Sequence, residues 1–130
     1  MKKLLAALLL MVSLTACGSG GAKTLYQSID AETAKTMMDE HPEAVIRDVR
    51  EEDEYASGHI PGAVLLPVGT IDEETAAEVI PAEDSVVLVY CRSGNRSKTA
   101  SKALAELGYT EIYEFGGIRD WPYEVETAGE

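Results

Sequence analysis

The sequence predicts an α/β domain: a small, mainly parallel sheet with helices on both faces. Three observations lead there. Val86-Val87-Leu88-Val89-Tyr90 is a continuous apolar run, the pattern of a strand covered on both faces. Apolar segments of strand length alternate along the chain with segments of helical spacing, so the strands are joined by crossovers and run parallel. Finally, 130 residues at 45% hydrophobic and 26% charged are enough for one domain with a buried core and too apolar for wholesale disorder.

Each element has its own signal. Asp30 is an N-cap residue type, with helix predicted over Ala31–Glu40 and Pro42 just beyond its end. Ala44-Val45-Ile46 leads a short strand up to Asp48, and Gly62–Pro67 gives another. Asp72–Ile80 is helix-like, with Asp72, Glu73 and Glu74 suited to the positive end of a helix dipole. After the Val86–Tyr90 strand, Ser97–Leu107 places Ala100, Ala103, Leu104 and Leu107 at i, i+3, i+4 and i+7, and Gly108 stands where a C-terminal cap belongs. Glu111–Phe115 alternates into a last strand before Gly116-Gly117. No internal repeat interrupts Thr24 to about Thr127, which reads as one domain.

The N-terminus has a different character. Met1-Lys2-Lys3 is basic, and Leu4 to Leu14 is an almost unbroken apolar run of eleven residues. A membrane-spanning helix needs roughly 20, so the run has the length of a signal sequence and not of a span. Leu14-Thr15-Ala16-Cys17 follows, then Gly18-Ser19-Gly20-Gly21. This arrangement resembles the processing box of bacterial lipoproteins, in which the cysteine is lipidated and the peptide is cut just before it. The plainer alternative is an ordinary secretory signal with an incidental Cys17. On the lipoprotein reading, residues 1–16 are removed, Cys17 carries the anchor, and residues 17–23 form a flexible tether. The domain is then expected outside the cytoplasm, held to a bacterial membrane by lipid.

Charge and ligand counts exclude other classes. The chain carries 11 Lys plus Arg against 23 Asp plus Glu, a net charge of −12 at pH 7. Loss of Lys2 and Lys3 with the leader makes the mature chain more acidic still. Duplex nucleic acid, whose binders need a basic face, is not a partner this composition favours. Two cysteines and two histidines, His41 and His59, build neither a zinc site nor a disulfide framework, so no metal or cofactor is expected.

The chemistry concentrates after the buried strand. Cys91-Arg92-Ser93-Gly94-Asn95-Arg96-Ser97 joins that strand to a helix, and strand carboxyl ends are where open α/β sheets bind ligands. A loop this short turns its backbone N–H groups inward around an anion, helped by the freedom of Gly94. The helix end, Arg92 and Arg96 add positive potential, and together these favour thiolate at Cys91. A cysteine placed so is a nucleophile; the alternative is an inert thiol at a strand end.

Three segments resemble the single-domain rhodaneses. They are Asp48-Val49-Arg50 with Glu54-Tyr55 and Gly58-His59-Ile60-Pro61-Gly62-Ala63; Cys91–Ser97 with Ala100, Leu104 and Gly108-Tyr109; and Phe115-Gly116-Gly117 with Trp121. The resemblance implies a sulfurtransferase in which Cys91 takes a sulfane sulfur from a small sulfur anion such as thiosulfate, or from a persulfide donor. It then passes that sulfur to a thiol acceptor. Arg92, Ser93, Gly94, Asn95, Arg96 and Ser97 are the expected anion-binding residues. Asp48 and Arg50 are candidates for loop support, Arg50 and Glu54 for a structural ion pair or turn support, and His59 for fixing a turn. Two other readings compete. A cysteine-loop phosphatase or arsenate reductase needs an arginine six residues after the cysteine, where this chain has Ser97 and its arginine comes one earlier. A non-catalytic module that senses sulfur species or binds a partner beside the membrane has the same reactive loop.

Overall fold

The computed structural model describes residues 26–127. Cys17, the apolar leader and the tether to Lys23 lie outside them, as does the expected domain start at Thr24. Five strands form one sheet: β1 (Gln27–Ser28), β2 (Val45–Asp48), β3 (Ala63–Leu65), β4 (Val86–Cys91) and β5 (Glu111–Gly117). Their order is β1-β5-β4-β2-β3, and every neighbouring pair runs parallel. The α-helices among the described residues are α1 (Ala31–Glu40), α2 (Glu52–Ser57), α3 (Glu73–Val79) and α4 (Asn95–Glu106). None of them is long and apolar enough to cross a membrane.

The β4 run is apolar throughout because both of its faces are covered. Val87, Val89 and Cys91 point into a core with Ala76 and Ile80 at α3, Ala100 and Leu104 of α4, Tyr109 and Ile112. Leu88 and Tyr90 point the other way, into a core with Ala34 of α1, Ile60, Ala63, Phe115 and Trp121. The period-two alternation of a single strand thus serves two cores at once. In the second, Tyr90, Phe115 and Trp121 form a chain of tilted rings with centroids 5.4 and 5.5 Å apart. Helices on both faces are as the sequence predicts.

Local chemistry fixes the helix starts. The Asp30 carboxylate accepts from Thr33 N at 2.8 Å, and that of Asp72 accepts from Thr75 N at 2.8 Å. The Thr75 hydroxyl in turn accepts from Asp72 N at 2.9 Å, so two orphan donors are satisfied together. Asp72 and Ile80 therefore flank α3 as caps. The helix predicted from Ser97 begins two residues earlier, at Asn95, because Gly94 caps it with φ of 114° and no side chain is needed. Two elements have no expectation behind them. β1 is a two-residue edge strand, and α2 carries no apolar repeat across its six residues.

At its N-terminal half β4 pairs evenly with β5, Val89 facing Glu114; the register then slips, so that Cys91 faces Gly117. Irregularities of this kind re-aim a strand end beside a site. Leu104 of α4 is fully buried in the core behind the site. Leu104→Ala is expected to cost about 2–5 kcal/mol of unfolding free energy, measured by urea denaturation.

Candidate active site

β4 delivers Cys91 to the carboxyl edge of the sheet, and only Arg92, Ser93 and Gly94 separate it from α4. Such a tight turn forces one residue to a positive φ, and Gly94 adopts it without the backbone strain that a side chain would bring. The turn aims the Gly94 N–H at the sulfur, which accepts it at 3.0 Å. Cys91 is almost wholly buried, at 1% exposure. Burial alone pushes its thiol up; against this, the Ser97 hydroxyl and amide and the amides of Gly94 and Ser93 all stabilise the thiolate. The donors win, and the thiol lies below its ordinary value.

The rest of the loop divides into anchors and free groups. Arg96 forks onto Glu54 of α2, Nη1 to Oε1 at 2.9 Å and Nη2 to Oε2 at 3.0 Å. That pairing, with the Glu51 amide on the same carboxylate, lowers Glu54 to about 2. The tie is therefore fully formed above about pH 4.3 and lost only as pH falls toward 2. Arg96 is a loop anchor whose charge still reaches Cys91, and its fork is not left open to an anion. The loop also carries Arg92, Ser93 and Asn95, which face solvent. Ser97 is fully buried, its hydroxyl oxygen 2.9 Å from Gly94 O and 2.7 Å from Glu114 Oε1, two acceptors for its single proton.

Asp48 and Arg50 form a buried pair beside the loop, not within it. Asp48 accepts from Arg50 N at 2.9 Å, from its Nε at 3.0 Å and Nη2 at 2.6 Å, and from Tyr90 Oη at 2.7 Å. Arg50 Nη2 also donates to Gly58 O at 2.6 Å. Neither side chain bonds to residues 91–97; their support reaches the loop through Tyr90, the residue before Cys91. The expected Arg50–Glu54 ion pair is replaced by two others, Arg50 with Asp48 and Glu54 with Arg96. Asp48 stands buried two residues before Arg50, within reach of its amide and guanidinium, whereas Glu54 reaches across to Arg96. His59 is a turn residue: its Nδ1 lies 2.9 Å from Tyr55 O, its ring stacks on Tyr55 at 3.9 Å, and its backbone bridges Glu126.

Comparison with known proteins meets this geometry. Residues 30–123 match the rhodanese-like domain family. The chain belongs to that family. It is 37% identical over 73 residues to the thiosulfate sulfurtransferase PspE of Escherichia coli, covering 56% of this chain and 69% of that protein. It is also 33% identical over 108 residues to the thiosulfate:glutathione sulfurtransferase of Saccharomyces cerevisiae, covering 73% of this chain and 77% of that one. Among solved structures, a rhodanese with anions from E. coli superposes with a TM-score of 0.60 at 31% identity, over 65% of this chain and 98% of its own.

Within this rhodanese-like domain, sequence reasoning missed two supports of the loop, at Glu54 and Glu114, and named a third, Gly117, only as part of a Gly116-Gly117 packing and turn requirement. The Glu54–Arg96 fork joins residues 42 positions apart, and no local pattern announces it. Glu114 had a readable signal: alternation along Glu111–Phe115 puts it on the same buried face as Ile112. Gly117 stands so close to the Arg92 carbonyl that an added Cβ would overlap it, and Arg119 N donates to that same carbonyl at 3.2 Å. Gly117→Ala is expected to push the loop off its donors and slow Cys91 alkylation at neutral pH by about tenfold. Quantitative mass spectrometry of the alkylated protein checks this, with circular dichroism confirming that the fold persists.

Proposed function

We propose that this rhodanese-like chain is a working sulfurtransferase that carries sulfane sulfur on Cys91. The observation that carries the proposal is the Cys91 sulfur itself, held below its ordinary thiol pKa by amides at the head of α4. The Cys91 thiolate attacks the outer sulfur of thiosulfate; the new S–S bond forms as the old one breaks, and sulfite leaves with the electron pair. Backbone amides of the loop and the exposed Arg92 meet the anion's charge. Cys91 then holds a persulfide. An acceptor thiolate attacks its outer sulfur, leaves as the new persulfide, and restores the Cys91 thiolate.

The acceptor comes from outside the chain. Cys91 is the one cysteine among the described residues, and Cys17, the only other in the sequence, is reserved for lipid on the lipoprotein reading. The names of the Escherichia coli and Saccharomyces cerevisiae relatives support thiosulfate as donor and a small thiol as acceptor. Leu14-Thr15-Ala16-Cys17 supports attachment through Cys17 to a bacterial membrane, outside the cytoplasm.

Two measurements test this. Intact mass after thiosulfate treatment is expected to rise by one sulfur atom and to fall back on addition of a thiol. Cys91→Ser is expected to show neither change while keeping the circular dichroism of the parent. An unchanged parent mass contradicts the proposal, and a persulfide that no thiol can discharge points to a sulfur-sensing module instead. Independently, mass spectrometry of the membrane fraction is expected to find an N-terminal lipidated Cys17. Mature protein beginning at Met1 contradicts the anchor.

A further inference from the structure

The cations of this acidic chain are unevenly committed. Arg47 and Arg50 are buried, Lys35 pairs with Asp39 at 2.9 Å, and Arg96 is forked onto Glu54. Lys98 pairs with Glu114 at 3.4 Å, though its side chain is 55% exposed, and Lys102 stands one turn further along α4. Arg92 and Arg119 are exposed, and among the described residues neither has an ion pair. Both belong to the reactive edge of the sheet. Arg92 follows Cys91 in the loop; Arg119 follows β5, and its N–H donates to the Arg92 carbonyl at 3.2 Å. Two uncommitted guanidinium groups are therefore carried on hydrogen-bonded backbone positions beside Cys91.

Like charges side by side repel, and in a chain of −12 a carboxylate is the expected neighbour. None answers here: Asp120, next in the chain, is exposed but pairs with neither arginine. Lys98 adds to the same edge, its Nζ 3.7 Å from the place a Cβ would take on Gly94. The positive patch is narrow, because beyond Arg96 the head of α2 presents exposed Glu51, Glu52 and Asp53. An acidic protein face would meet those carboxylates, whereas a small anion would not. A thiol that enters after sulfite has left finds both guanidinium groups without the dianion they faced in the first half-reaction. A carboxylate on that thiol takes its place.

We propose that Arg119, with Arg92, forms a cationic rim that selects the acceptor: small thiols carrying a carboxylate discharge Cys91 in preference to neutral ones. The inference deepens the sulfurtransferase reading and rests on it for the acceptor, whereas its first test needs no sulfur donor. Contacts between exposed guanidinium groups and carboxylates are weak and screened by salt, so the preference is a few-fold and falls as ionic strength rises.

The first arm of the experiment compares Cys91 alkylation by iodoacetate, a carboxylate, with that by neutral iodoacetamide, at low salt and read by mass spectrometry. Arg119→Gln is expected to lower the iodoacetate-to-iodoacetamide rate ratio about two- to fivefold, and Arg119→Glu further. Ionic strength of about 1 M, where the screening length is about 3 Å, is expected to bring the parent's ratio toward that of the variants. The second arm follows discharge of the preloaded Cys91 persulfide by thioglycolate and by β-mercaptoethanol. Their rate ratio is expected to fall by a similar factor in Arg119→Gln; comparing variant with parent cancels the intrinsic difference between the two thiols. Lys35→Gln removes an equal charge from α1 and is expected to leave both ratios at the parent value. A ratio that Arg119→Gln leaves unmoved in either arm overturns the proposal, as does an equal fall with Lys35→Gln. Failure of the persulfide to form strikes the sulfurtransferase reading instead, and the alkylation arm alone then decides whether the rim exists.

Discussion

The hydrogen bond from Gly94 N to the Cys91 sulfur is the contact on which the rest of this structure bears. It exists because a fully buried strand runs into a helix with only three residues between them, and because one of those residues is a glycine with φ of 114°. The two cores hold β4 from both faces, so the strand end does not drift. Four supports then fix the loop from outside it: Glu54 on Arg96, Glu114 on Ser97, Arg119 on the Arg92 carbonyl, and the close-packed Gly117. On the proposed reading of Cys91 as the nucleophile, its donors are set before substrate arrives and need no rearrangement at the moment of reaction.

The same arrangement settles a conflict of charges. The chain carries −12 at pH 7, a field that by itself disfavours a thiolate. Salt screens distant exposed charges within about 8 Å, whereas the loop amides act at contact distance and in a dry setting. The opposing force that matters is local, the burial of the sulfur, and the donors overcome it. Acidic residues are nonetheless built into the site. Glu54 and Glu114 act by holding cations, hydroxyls and amides in place, which neutralises them while it stiffens the loop.

Much of this was legible in the sequence, for identifiable reasons. The fold class followed from β4, whose unbroken apolar run only a doubly covered strand requires, and from the helical spacing of Ala100, Leu104 and Leu107. Cys91 stood out because strand, basic glycine-containing loop and helix are contiguous in the chain. The supports were hidden because they are long-range. Arg96 reads locally as a free cation for an anion, and only folding brings Glu54 to it across 42 positions. Likewise Arg50 has Glu54 four residues on, but its guanidinium turns back to Asp48 because that carboxylate is buried and also bonded by Tyr90. Short elements such as β1 and α2 bury too little to leave a periodic trace.

The central claim is that the folded loop stabilises the Cys91 thiolate against burial. Linkage turns that into a stability measurement: a thiol more acidic in the folded than in the unfolded chain stabilises the fold above its unfolded pKa, about 8.5, and loses that contribution as pH falls through the folded value. Unfolding free energies of the parent and of Cys91→Ser, measured across pH in one buffer series, isolate the effect because all other groups cancel. The parent is expected to gain on the variant as pH rises between those two values, by at most about 1.4 kcal/mol per unit, and then to level off. A difference that stays flat, or one that shrinks with rising pH, contradicts the claim.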